Sequence, residues 1–194
     1  MPPSEIARGV EKLSLEINKK EEAYFVLDSK SFYPHITIYG VEFPTRNLEK
    51  VFSEVESLAK KLVGVKFTFQ KVATEKGYIG IECDCTEEFR AAHETIIEKL
   101  NPLRDGHIRE KDNQKSSEFS EKEENIQKYG HPEVMNLYKP HVTVIRLKDE
   151  RVAEKTAAEI KWPVKEFVLD RIGIFKMGEN GTCIELLKEF KLGE

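Results

Sequence analysis

The sequence predicts an α+β protein, bilobal by internal duplication, with two antiparallel sheets facing a central cleft and helices outside. Two observations carry that prediction. The phrase Tyr33-Pro34-His35-Ile36-Thr37-Ile38 returns 106 positions later (141 minus 35) as Lys139-Pro140-His141-Val142-Thr143-Val144. Nine threonines among 194 residues would place Thr two positions after a given His only about one time in twenty, so a chance repeat with Pro ahead of both histidines is remote. Each phrase is also followed by the same succession: a helix, a strand opening with Val-Lys (Val65-Lys66; Val164-Lys165), a turn and a closing strand (YIGIEC; TCIELL). Two copies fall short of the three or so stacked units of a solenoid, so two facing α+β lobes are the natural arrangement.

Taken in order, residues 10–42 read mainly as strands: KLSLEIN, AYFVLD and HITIYGVEF are rich in β-branched and aromatic residues and separated by charged turns. Residues 46–62 place Leu48, Val51, Phe52, Val55, Leu58, Ala59 and Leu62 at helical spacing, with Thr45 as N-cap and Gly64 as the stop. A hairpin is expected from 65–74 and 77–84 about Glu75-Lys76, and a second helix over 86–100. Residues 101–130 form a polar excursion, a surface loop or movable flap. The second phrase opens a strand at 139–147, followed by a helix at 149–160, the stretch VKEFVLDRIGIFKM, a Gly-Glu-Asn-Gly turn and TCIELLKEF. The first repeat spans about 33–100 and the second about 139–190, within one folding unit of residues 1–194.

Composition narrows the function classes. The chain is 39% hydrophobic and 34% charged, as an ordinary globular protein is, with a formal net charge of -4. That acidic balance argues against tight, sequence-blind binding of long duplex nucleic acid, which needs a basic surface to displace counterions. No stretch approaches the roughly 18 apolar residues of a membrane span, and the N-terminus lacks a basic segment followed by an apolar run, so a soluble, cytoplasmic monomer without membrane association is expected. Cys83, Cys85 and Cys183 are too few for a disulfide scaffold, and their spacing is not that of a zinc site.

On a strand, residues two apart share a face, so His35 and Thr37 point one way while Ile36 and Ile38 point the other, and His141 and Thr143 are arranged likewise. Facing lobes would bring two imidazoles and two hydroxyls into one cleft. Two histidines across a small anion suit acid–base chemistry, one neutral to take a proton and one protonated to give it. Threonine hydroxyls can donate to the non-bridging oxygens of a phosphate as a phosphorus–oxygen bond breaks.

HITI at 35–38 and HVTV at 141–144 resemble the paired His-x-Thr/Ser motifs of the 2H phosphoesterase superfamily, which includes RNA 2′,5′-ligase-like proteins and cyclic nucleotide phosphodiesterases. The resemblance covers most of the chain through the duplicated framework. It implies a bilobal fold, metal-independent chemistry without cofactors, and a nucleotide or RNA end as substrate, cleaved at a 2′,3′-cyclic phosphate or a 2′,5′ linkage. It further implies that His35 and His141 are the acid–base pair and that Thr37 and Thr143 bind phosphate. YGHPEVMNLYKPHVTV (129–144) also looks like members found beside phosphonate-metabolism genes, which keeps a small non-nucleotide ester open. A non-catalytic module that binds RNA ends or nucleotides is the reading from another class.

Around the motifs, Tyr33, Tyr39, Tyr138 and Phe175 could stack on a base, although each also suits core packing, and Tyr33 shares the parity of His35. Lys139 shares the parity of His141 and could supply positive charge to the substrate. His93, His107 and His131 have no Thr two places later and read as structural or solvated, while Arg104, His107 and Arg109 could form a lid.

Overall fold

The computed structural model describes residues 1–112 and 120–194; the middle of the polar excursion, 113–119, lies outside the described residues. Helix α1 (Ser4–Asn18) precedes strand β1 (Ala23–Val26) and helix α2 (Leu48–Ala59). Strands β2 (Lys66–Glu75) and β3 (Tyr78–Cys85) form a hairpin that leads into helix α3 (Glu87–Leu100). After helix α4 (Glu121–Tyr129) come β4 (His141–Leu147), α5 (Glu150–Glu159), β5 (Glu166–Val168), β6 (Arg171–Met177) and β7 (Cys183–Lys191).

The strands form two antiparallel sheets of unequal size: a five-stranded sheet in the order β1-β4-β3-β2-β5, and the β6-β7 pair. Each has its own core. Against the larger sheet, Phe67, Ile79, Ile81, Val142, Val144 and Leu147 pack with Val10 of α1 and Ala153 of α5. Against the smaller, Val51, Val55 and Leu58 of α2 and Ile96 and Leu100 of α3 meet Ile172. The expected α+β composition with two antiparallel sheets is therefore present. VKEFVLDRIGIFKM is not one strand, however: it closes the larger sheet as β5 and, after Leu169-Asp170, begins the smaller sheet as β6.

Two strand assignments are corrected. KLSLEIN is the last part of α1, because the alternation of Leu13, Leu15 and Ile17 competes with a longer helical period, Ile6, Val10, Leu13, Ser14 and Ile17. The helical face wins burial and Leu15 is left 49% exposed. HITIYGVEF is not a strand of either sheet. Its apolar side chains Ile36 and Ile38 are still packed into the cores, but its backbone has no ladder partner among the described residues.

The helix expected at 46–62 begins later, with Thr45–Asn47 as a turn of 3₁₀ helix, and Thr45 does not cap it. Thr86 caps α3, its hydroxyl accepting from the Phe89 N–H at 3.4 Å. The excursion contains α4, started by a Ser120 hydroxyl that accepts from Glu123 N–H and stopped by Gly130 at φ 74°. Its C-terminus is pinned. The buried Arg104 guanidinium donates to the Lys128 carbonyl at 3.2 Å and to Asn101 Oδ1 at 3.0 Å, and the Tyr39 hydroxyl donates to the Tyr129 carbonyl at 2.6 Å. A cation against the exposed carbonyls of a helix end is favourable, so Arg104 anchors this segment rather than forming part of a lid.

The β2–β3 hairpin turns one residue later than expected, on Lys76-Gly77, both at positive φ (49° and 82°), as the tight two-residue turn requires. A Cβ on Gly77 would lie 2.5 Å from the Leu147 carbonyl oxygen, which belongs to the strand that carries the second motif. Gly77→Ala is expected to lower the unfolding free energy by about 1–3 kcal/mol. Urea denaturation measures this, and an unchanged midpoint would contradict the reading.

Candidate functional site

The second phrase is placed by the larger sheet. His141 and Thr143 pair with Glu82 and Gly80 of β3, and the Pro140 carbonyl accepts from the Cys83 N–H at 2.9 Å. His141 is exposed and Thr143 half-buried, while Val142 and Val144 are fully buried, as the alternation requires. Between Thr143 and Ile145 the register slips: Gly80 faces Thr143 but Ile79 faces Ile145, so Val144 is an extra residue. The bulge changes parity, and Arg146, which simple alternation would bury with Val142 and Val144, joins the half-exposed face of His141 and Thr143.

The first phrase is held by point contacts. The Tyr33 N–H donates to the Cys183 carbonyl at 2.9 Å, Pro34 and Ile36 are buried, and His35 and Thr37 are half-buried. Despite the different backbone setting, the two imidazoles have the same brace. Nδ1 of His35 lies 2.8 Å from the Tyr33 carbonyl, and Nδ1 of His141 lies 2.9 Å from the Lys139 carbonyl. A carbonyl only accepts, so in each ring Nδ1 carries the proton and Nε2 is the atom free to take or give one.

The charge of His141 also reaches His35. Desolvation lowers the basicity of His35, opposed by its bond to the Tyr33 carbonyl and assisted by the charge of His141 and of the N-terminal amine. His35 therefore favours its neutral form, the form that can accept a proton.

Arg146 is a functional candidate that alternation alone hides. Its guanidinium lies 4.8 Å from the Tyr24 ring centroid and 4.6 Å from that of Tyr78, and donates to Asn180 Oδ1 and, at 3.3 Å, to the Lys76 carbonyl. These partners are neutral, so they hold the guanidinium in place without cancelling its charge. The signal was present in the sequence: an arginine at core parity, three positions beyond Thr143, is costly unless a bulge turns it outward.

The other candidates divide. Tyr33 packs against Phe175 with ring centroids 5.2 Å apart. The Tyr39 hydroxyl is occupied at the end of α4. Lys139 is exposed and braces His141 through its carbonyl. His93 is fully buried and stacked on Tyr138 at 3.8 Å, as the structural reading expects, and His107 is exposed. His131 comes near Thr37: both lie within 3.5 Å of where a Cβ on Gly40 would sit.

An apolar cavity of about 150 Å³ opens beside His35 and Thr37 and is walled by Val51, Ile96, Ile172 and Ile174; His141 and Thr143 do not line it. Among the described residues no group of three or more His, Cys, Asp or Glu side chains could hold a metal ion. No helix among them is long and apolar enough to cross a membrane.

Comparison with known families bears on this arrangement. The family described as the 2'-5' RNA ligase superfamily matches residues 2–181, a span that includes both His-x-Thr motifs and Arg146. No curated protein matches the sequence. With nearly the whole chain covered, the protein belongs to the 2'-5' RNA ligase superfamily, which is the 2H phosphoesterase superfamily.

Proposed function

We propose that the protein is a phosphodiesterase that hydrolyses a 2′,3′-cyclic phosphate or a 2′,5′ linkage in a nucleotide or RNA end, with His35 and His141 as its acid–base pair. The observation that carries this reading is the matched carbonyl brace on the two imidazoles, which leaves an Nε2 of each available for proton transfer. The internal duplication belongs to the same proposal, supported by the equivalent carbonyl bonds at the two phrases.

For a 2′,3′-cyclic phosphate, neutral His35 accepts a proton at Nε2 from water as the water oxygen bonds to phosphorus. The bond from phosphorus to one ribose oxygen breaks, and that oxygen takes the Nε2 proton of His141, leaving a phosphomonoester. Thr37 and Thr143 donate to the non-bridging oxygens, and Arg146 offsets the charge that develops there. Thr37→Val and Thr143→Val are each expected to lower kcat/KM by roughly 10²-fold, measured on the best substrate. The proposed partner is a small nucleotide or an RNA end taken by a cytoplasmic monomer, which agrees with the net charge of -4.

The decisive experiment assays 2′,3′-cyclic nucleotides and 2′,5′-oligoadenylates, with and without chelator. Chelator-resistant turnover of at least one is expected. Tight binding of the same compounds without turnover would instead identify a nucleotide-binding module.

A further inference from the structure

Among the described residues the first phrase has no ladder to set its position, yet acid–base chemistry across one phosphate requires the two imidazoles to keep a fixed separation. A connection between the phrases exists. The Tyr138 hydroxyl, three residues ahead of His141, donates to the Thr37 carbonyl at 3.0 Å and so joins the second phrase to the first across the interior.

Tyr138 is itself immobilised. Its ring is 6% exposed and lies parallel to His93 (centroids 3.8 Å apart, 16° between planes). Nε2 of His93, which is fully buried, accepts from the Met135 N–H at 3.3 Å, and the Tyr138 N–H donates to the Met135 carbonyl at 3.0 Å. The other nitrogen, Nδ1, has no partner at full hydrogen-bond geometry, while a backbone interaction with Ile38 of the first phrase raises the basicity of the ring against its burial. The second phrase is meanwhile fixed to β3 through Pro140 and the His141 pairing.

We propose that Tyr138, held by His93, is a positioning residue: its hydroxyl transmits the placement of the laddered second phrase to the unladdered first and sets the spacing of His35 and His141. The proposal rests on the reading of those histidines as a pair, and its test has a readout independent of turnover. Tyr138→Phe keeps the ring on His93 and removes only the bond to Thr37. With the clamp released, His35 is less desolvated and the charge of His141 acts less on it, and the His35 titration midpoint, followed by NMR of the imidazole carbons, moves upward toward its ordinary value. On a turned-over substrate, kcat falls on the order of 10- to 100-fold with KM little changed.

Phe167→Leu, in the core at the opposite edge of the larger sheet, is the control for lost stability alone and should leave the His35 midpoint in place. If Tyr138→Phe does not fold, His93→Phe is titrated instead, since it retains a ring against Tyr138 but loses the acceptor for Met135. A wild-type His35 midpoint in the folded variant overturns the proposal, whether or not a substrate is known. A shifted midpoint in a protein that turns over nothing supports the clamp and counts only against the phosphodiesterase reading.

Discussion

His35→Ala and His141→Ala are each expected to reduce kcat/KM by about 10² to 10⁴-fold, equivalent to roughly 3–5 kcal/mol of transition-state stabilisation. Each removal deletes one of the two Nε2 atoms to which the carbonyl braces of Tyr33 and Lys139 give a defined role. The losses should not add in the double variant, because a base without its acid, or an acid without its base, leaves the same step unassisted. The pH–rate profile supplies a second check. In the proposed mechanism the base is neutral His35, so activity is expected to be lost as pH falls through its midpoint, which desolvation places below the ordinary imidazole value of 6.5. Full activity in either alanine variant would remove the paired-histidine mechanism.

Acid should destabilise the fold through His93. Burial first, and then the charge of Arg90, lower its pKa from 6.5 to about 4. Between those values the unfolded chain binds a proton that the folded chain refuses, so this contribution is fully present above pH 6.5 and is lost as pH falls toward 4. A shift of that size corresponds to roughly 3 kcal/mol, an appreciable part of a domain's stability. His93→Gln offers an amide oxygen to the Met135 N–H and has no such proton to gain. Urea unfolding at pH 7 and pH 4.5 should therefore show a smaller difference for the variant than for the wild type. Equal differences would show that His93 does not titrate in this range. His35, also of lowered basicity, adds to the wild-type loss in the same direction and remains in the variant.

Much of the candidate site's local geometry was legible because it depends on residues two apart. In Pro-His-Val-Thr-Val at 140–144, the spacing of two assigns His141 and Thr143 to one face and Val142 and Val144 to the core, and burial follows that assignment. The first phrase has the same internal pattern, with buried Ile36 between half-buried His35 and Thr37, but that pattern could not show whether a neighbouring strand was within reach. The strand reading of Leu13, Leu15 and Ile17 failed for a related reason. A short alternation is compatible with both periods, and Ile6 and Val10 decide for the helix only when a sheet offers them a surface.

By itself, the sequence determined the mixed helix and strand composition, the β2–β3 hairpin, the helix over 86–100, and the pairing of histidine with threonine at two places. These follow from side-chain period and turn chemistry, which act over a few residues. The tertiary structure decided which strands share a sheet, the bulge that turns Arg146 outward, the docking of α4 through Arg104 and Tyr39, and the Tyr138 bond to Thr37. Those contacts join residues far apart in the chain, and their formation depends on how two cores pack together rather than on any local pattern.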